Sequence, residues 1–171
     1  MKILFLTIAL SLFTILQAGP SITSENMFKD KYYINSIVSS MELLENINVT
    51  MSPLTFSQFK DGNMEVTLTS KTSGKCEEMK VKLKKTDDPM KFSVDEGKRD
   101  VYITKTSVPD HWIIICEGEL HGKQIRVAKL VGPNTYANPL AMKEFKEFIK
   151  KEGLGDKRII SPSQEESCTP E

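Results

Sequence analysis

The chain has 171 residues, with 23 Lys and Arg against 23 Asp and Glu, for a formal net charge of zero. That length fits one domain, long enough to bury a core without a metal or a dense disulfide set. The neutral balance argues against a nucleic-acid binder, which needs a concentrated basic face, and 9 Gly and 8 Pro in an ordinary hydrophobic background exclude a collagen-like or wholly disordered chain.

The first eighteen residues, MKILFLTIALSLFTILQA, place one charge, Lys2, before a long apolar run that ends on Ala18. This is the pattern of a secretory signal peptide, cut between Ala18 and Gly19. It leaves residues 19–171 as one extracellular domain. No later stretch is apolar enough to span a bilayer. Asn48-Val49-Thr50 is an N-glycosylation sequon, expected on a loop between the first two strands.

Period-two alternation then recurs along the chain. Met64, Val66 and Leu68 alternate with Glu65, Thr67 and Thr69; Met79, Val81 and Leu83 alternate with Lys80, Lys82 and Lys84. Val101 and Ile103 alternate with Tyr102 and Thr104, and Ile125 and Val127 with Gln124 and Arg126. Turn signals stand between these runs at Asp61-Gly62-Asn63, Asp95-Glu96-Gly97-Lys98 and Leu120-His121-Gly122-Lys123. The predicted strands lie near 30–40, 52–60, 63–71, 76–84, 90–94, 100–106, 111–119 and 122–131. One apolar face per strand calls for a sheet closed on itself or a sandwich.

The period changes after residue 138. Asn138 caps a helix with Pro139 in its first turn, and Leu140, Phe145, Phe148 and Ile149 form its apolar stripe. Gly153 supplies the stop, so the helix is predicted over about 139–152, with a polar tail at 153–171. The fold class is mostly β: an eight-stranded antiparallel up-and-down β-barrel over about 28–131, followed by one C-terminal α-helix. A barrel of this size can enclose one small ligand.

Three cysteines in an oxidising compartment imply one disulfide and one spare thiol. Cys168 lies in the tail SPSQEESCTPE, where it serves best as a staple, and a partner near a strand end favours Cys76. Cys116, inside the apolar run from Trp112, then reads as a small core residue. No Cys/His spacing suggests a metal, and no Ser/His/Asp arrangement or Gly-rich phosphate loop appears. No cofactor is expected. Asp110 and His111 follow Pro109 at a strand start and read as a turn rather than an acid–base pair. Lys80, Lys82, Lys84 and Lys85 are the outward parity of one strand, a solvated face.

The segment VPDHWIIICEGELHGKQIRVAKLVG, with GNMEV at 62–66, KKTDDPMKFS at 84–93 and the ending SCTPE, resembles the lipocalin family, above all its tear and von Ebner gland members. The match extends over nearly the whole mature chain. The resemblance implies an eight-stranded calyx with an apolar cavity and a flanking helix. It also implies that Cys76 pairs with Cys168. The implied function is carriage or scavenging of small hydrophobic ligands such as fatty acids, other lipids, retinoids or odorants. One departure stands out. Lipocalins of this kind carry Gly-x-Trp on the first strand and an Arg after the last. Here Asp30-Lys31-Tyr32 and Pro133 stand in those places, so both halves of one cation–π contact are absent together. The closed end should therefore be held differently.

On barrel parity, the predicted ligand-binding wall is Leu54, Phe56, Val66, Leu68, Met79, Val81, Leu83, Phe92, Val101, Ile103, Trp112, Ile114, Cys116, Ile125 and Val127, with Leu120 near the mouth. Lys129 shares the parity of Ile125 and Val127 and so points inward. A buried ammonium is costly unless paired, and an anionic ligand head group could pair with it. The alternative is a lysine snorkelling to the rim. The chemistry points to binding rather than catalysis. The relatives also leave open a protein-facing role, as an inhibitor of cysteine proteases or a ligand of a cell-surface receptor. Gly19 to Glu25 is the candidate segment for the protease role. One lipocalin branch is a prostaglandin isomerase, but its nucleophilic thiol is on an early strand, whereas Cys116 is on a late one.

Overall fold

The structure, a computed structural model, describes residues 31–42, 50–72 and 74–170. The segments 1–18 and 19–25, Asp30 and the sequon residue Asn48 lie outside them. The strands are Tyr33–Ser39 (β1), Leu54–Gln58 (β3), Met64–Thr72 (β4), Lys75–Lys85 (β5), Lys91–Val94 (β6), Arg99–Lys105 (β7), Trp112–Leu120 (β8) and Lys123–Gly132 (β9), with apolar and polar side chains alternating most clearly in β4, β5 and β7. These eight form one antiparallel sheet in the order β1-β9-β8-β7-β6-β5-β4-β3. The sheet curls until its outer strands meet. Tyr32 N donates to Leu54 O at 2.9 Å, and Leu54 N to Tyr32 O at 2.7 Å. The short turns follow from their residues: His121 (φ +51°) and Gly122 (φ +76°) both take the left-handed geometry that a two-residue hairpin requires.

Pro139–Lys151 forms the helix α1, and the Asn138 side chain accepts hydrogen bonds from the backbone N–H of Leu140 and Ala141. Its buried face, Ala141, Phe145 and Ile149, packs with Leu154 onto Val38, Ile113, Ile115, Ala128 and Leu130 from the outside of the sheet. Strands β1, β8 and β9 are thus covered on both faces, which explains the unbroken apolar run from Trp112 to Ile115.

The tail returns across β1. Ile160 exchanges two backbone hydrogen bonds with Ile37, both 2.8 Å, and Gln164 Nε2 donates to Ile34 O at 2.7 Å. Ser163–Gln164 (β10) then pairs parallel with Thr50–Met51 (β2). The sequence reading anticipated neither of these two-residue strands. Beyond them Cys168 meets Cys76 of β5, with Cα atoms 5.7 Å apart and a sequence separation of 92. The tail therefore fills the seam beside β1 and is anchored to the far side of the barrel.

Candidate functional site

Burial along the strands runs in one direction. At one end Tyr32, Met64, Leu83, Phe92, Trp112 and Val131 belong to a solvent-excluded cluster. At the other, Met79 is 56% exposed, Leu120 is exposed, and the chain turns at His121-Gly122. One end of the barrel is plugged and the other is open. Tyr32, standing where the family carries Trp, is 1% exposed and meets Phe56 edge to face at 5.7 Å. Pro133, where the family carries Arg, is half-buried. The turn before β8 underlies the same end. His111 is buried, its Nδ1 lies 2.8 Å from Pro109 O, and Asp110 has φ +60°. Both residues serve a turn, as their sequence context suggests.

Above the plug lies a cavity of about 140 Å³. Its walls include Leu54, Phe56, Val66, Leu68, Val81, Leu83, Val101, Ile103, Ile114, Cys116, Val127 and Lys129 from the predicted set. Two further wall residues, Val94 and Arg99, were not on that set. Both follow the inward parity of their strands, and parity alone would have found them. Five predicted residues lie elsewhere. Phe92 and Trp112 belong to the plug, and Ile125 is buried outside the cavity wall. Met79 and Leu120 are exposed towards the open end. A larger surface cleft of about 710 Å³ has Lys82, Lys84, Asp95 and Glu96 among its walls. Charged walls open to water suit an apolar guest poorly, so the interior cavity is the candidate site.

Three polar groups enter this apolar space. Lys129 on β9 lies opposite Ile37 on β1 and Ile114 on β8, so isoleucines flank it on both sides. Its ammonium has no ion-pair partner among the described residues. Burial pushes its pKa below the ordinary lysine value, the nearby Arg99 charge adds to that, and Cys116 opposes it. Cys116 lies between Val101 and Val127 and carries the free thiol. Burial raises the thiol pKa, against the Arg99 and Lys129 charges, so the thiol stays protonated at neutral pH. Arg99 stands nearer the open end, opposite Gly118. There a Cβ on Gly118 would fall 2.4 Å from Lys98 O and 2.8 Å from the Arg99 side chain, so only glycine permits this approach. The Arg99 guanidinium is held outward by Asp95, with Nε to Oδ2 at 2.7 Å. Among the described residues the site thus has one paired cation at its rim and one unpaired amine within. Among the described residues no group of His, Cys, Asp and Glu is placed to hold a metal, and no helix is long and apolar enough to cross a membrane.

Comparison with known proteins agrees with this architecture. The family profile described as "Lipocalin / cytosolic fatty-acid binding protein family" matches residues 29–166. Late lactation protein B of Notamacropus eugenii is 50% identical over 100% of this chain and 99% of its own. Lipocalin-1 of Sus scrofa is 36% identical over 99% of this chain and 98% of its own. Among solved structures, the possum milk whey lipocalin trichosurin, determined with bound 4-ethylphenol, superposes with a TM-score of 0.63 at 20% identity, over 78% of this chain and 95% of that one.

Proposed function

This chain belongs to the lipocalin / cytosolic fatty-acid binding protein family, and from that premise we propose that it is a secreted carrier or scavenger that holds one small hydrophobic molecule in the barrel interior. The observation that carries the reading is the apolar cavity above the plugged end, with one amine on its wall that has no ion-pair partner among the described residues. The signal-peptide pattern of the first eighteen residues supports secretion. A carboxylic acid suits the site best. It can enter neutral, lose its proton to the Lys129 amine and leave an ion pair in a low-dielectric space, where such a pair is strong. The volume limits the guest. A cavity of about 140 Å³ matches one that takes a benzene-sized molecule, since an engineered void of roughly 150 Å³ does so. Short-chain or monocyclic acids and phenols fit this space; long-chain fatty acids and retinoids require the walls to move apart.

Native mass spectrometry of the protein from its own secretion, with organic extraction of what it holds, tests the reading. The expected result is a discrete small apolar molecule released on denaturation. A protein that arrives empty and then binds neither hexanoate nor benzyl alcohol would overturn it. Within this reading, Lys129→Met weakens hexanoate more than hexanol; equal losses would remove the head-group role from Lys129.

A further inference from the structure

We propose that Lys129 captures small apolar aldehydes covalently, as a reversible imine formed inside the barrel. The proposal rests on the cavity reading above and adds a ligand class to it. The geometry supplies the nucleophile. Lys129 lies on the cavity wall, isoleucines flank it on both neighbouring strands, and no carboxylate among the described residues holds it as an ammonium. The polar neighbours across the cavity, Arg99 and the Cys116 thiol, add no negative charge at neutral pH. Desolvation in such a site favours the free amine, as the lowered pKa of this lysine indicates. An exposed lysine at pH 7 is a free amine in only about one molecule in two or three thousand. The enclosed amine therefore reacts ahead of those on the surface.

The chemistry balances without a further reagent. Lys129 Nζ attacks the aldehyde carbon, a C–N bond forms, and the carbonyl pair moves to oxygen. Proton transfer from nitrogen to oxygen gives the carbinolamine. The C–O bond then breaks, and the oxygen leaves as water with both hydrogens that began on the amine, so a C=N bond remains. Water is a product, and the largely apolar lining around Lys129 disfavours its return to the C=N bond. A cavity of about 140 Å³ accepts an aldehyde the size of benzaldehyde or hexanal.

The test uses the intact mature protein. Benzaldehyde is titrated in at pH 7, imines are fixed with cyanoborohydride, and the modified lysines are mapped by peptide mass spectrometry. Each adduct adds the mass of the aldehyde less one oxygen. The expected result is modification of Lys129 at aldehyde concentrations at least tenfold below those needed for any exposed lysine. Excess benzyl alcohol should abolish that advantage by filling the cavity. Lys129→Arg should lose the low-concentration adduct while keeping the near-ultraviolet dichroism of the native barrel. If that variant fails to fold, the alcohol protection of the wild-type protein decides the matter alone. Benzyl alcohol binding together with a Lys129 no more reactive than surface lysines would overturn the imine and leave the carrier intact. Absence of both benzyl alcohol binding and selective modification would overturn the cavity reading, and the imine with it.

Discussion

On β8, Ile113 and Ile115 face the helix while Ile114 and Cys116 face the cavity. The residue types are alike, yet the two sides end differently. Outside, Ala141, Phe145, Val38, Ala128 and Leu130 are all fully buried in the layer between sheet and helix. Inside, Val66, Leu68, Val81, Ile114 and Val127 keep accessible surface around a hollow. The helix can slide and tilt until its ridge fills the groove beneath it. A closed sheet cannot, because strand number and tilt fix its radius before the side chains have filled it. The filled layer supplies stability and the hollow one supplies a place for a guest.

Truncations should separate the two sides. Phe145→Ala removes a fully buried ring from the filled layer and should cost about 3–5 kcal/mol in chemical denaturation. Ile114→Ala removes a half-buried side chain that already borders a void, so it should cost only about 1–2 kcal/mol. The enlarged cavity should then bind heptanoate or octanoate more tightly relative to hexanoate. Equal costs for the two substitutions would mean that the interior is packed as tightly as the helix interface. A smaller effect is expected where the layers are tied by charge. Arg126 on β9 donates through Nε to Glu117 at 3.0 Å and bonds Glu152 just past the helix end. The guanidinium is partly exposed, so Arg126→Met should cost about 1 kcal/mol or less, and less again in high salt.

Much of this arrangement is legible in the sequence, for reasons that also mark its limits. The eight barrel strands and the helix lie within about three residues of their predicted bounds, because alternation and turn residues are local signals. Parity gave the side of each strand that faces in, including Lys129. It could not give depth, and so Phe92 and Trp112 went to the plug and Met79 to the solvent while sharing the parity of true wall residues. Arg99 is hidden for a different reason: a charged residue does not read as part of an apolar wall, although its register with Val101 and Ile103 points it inward. The β2–β10 pair carries no periodicity at all in two residues each, and only tertiary contact reveals it.

The effect from the hollow side has the opposite sign. Lys129→Met should stabilise the empty protein, because the buried amine has to be enclosed without a described ionic partner, whereas a thioether does not. Its pH dependence is the diagnostic. The native pKa of Lys129 lies below its unfolded value of about 10.4, so between those two values the unfolded chain binds more protons than the folded one. Stability of the wild type therefore rises with pH across that window. The slope should be absent in Lys129→Met. Cys116 acts in the other direction, since its raised thiol pKa makes the folded state lose stability as pH climbs past the unfolded thiol value. Carrying Cys116→Ser in both proteins removes that contribution, and Arg99 stays charged throughout. Urea denaturation of the pair from pH 6 to pH 10 should then show the advantage of Lys129→Met shrinking as pH rises from the native pKa of Lys129 towards its unfolded value. Saturating hexanoate should reverse the order of the two proteins, because the acid supplies the counter-charge that the barrel itself does not. A constant difference at every pH would place Lys129 in contact with solvent through the open end, and the contrast between the two sides of β8 would then rest on shape alone.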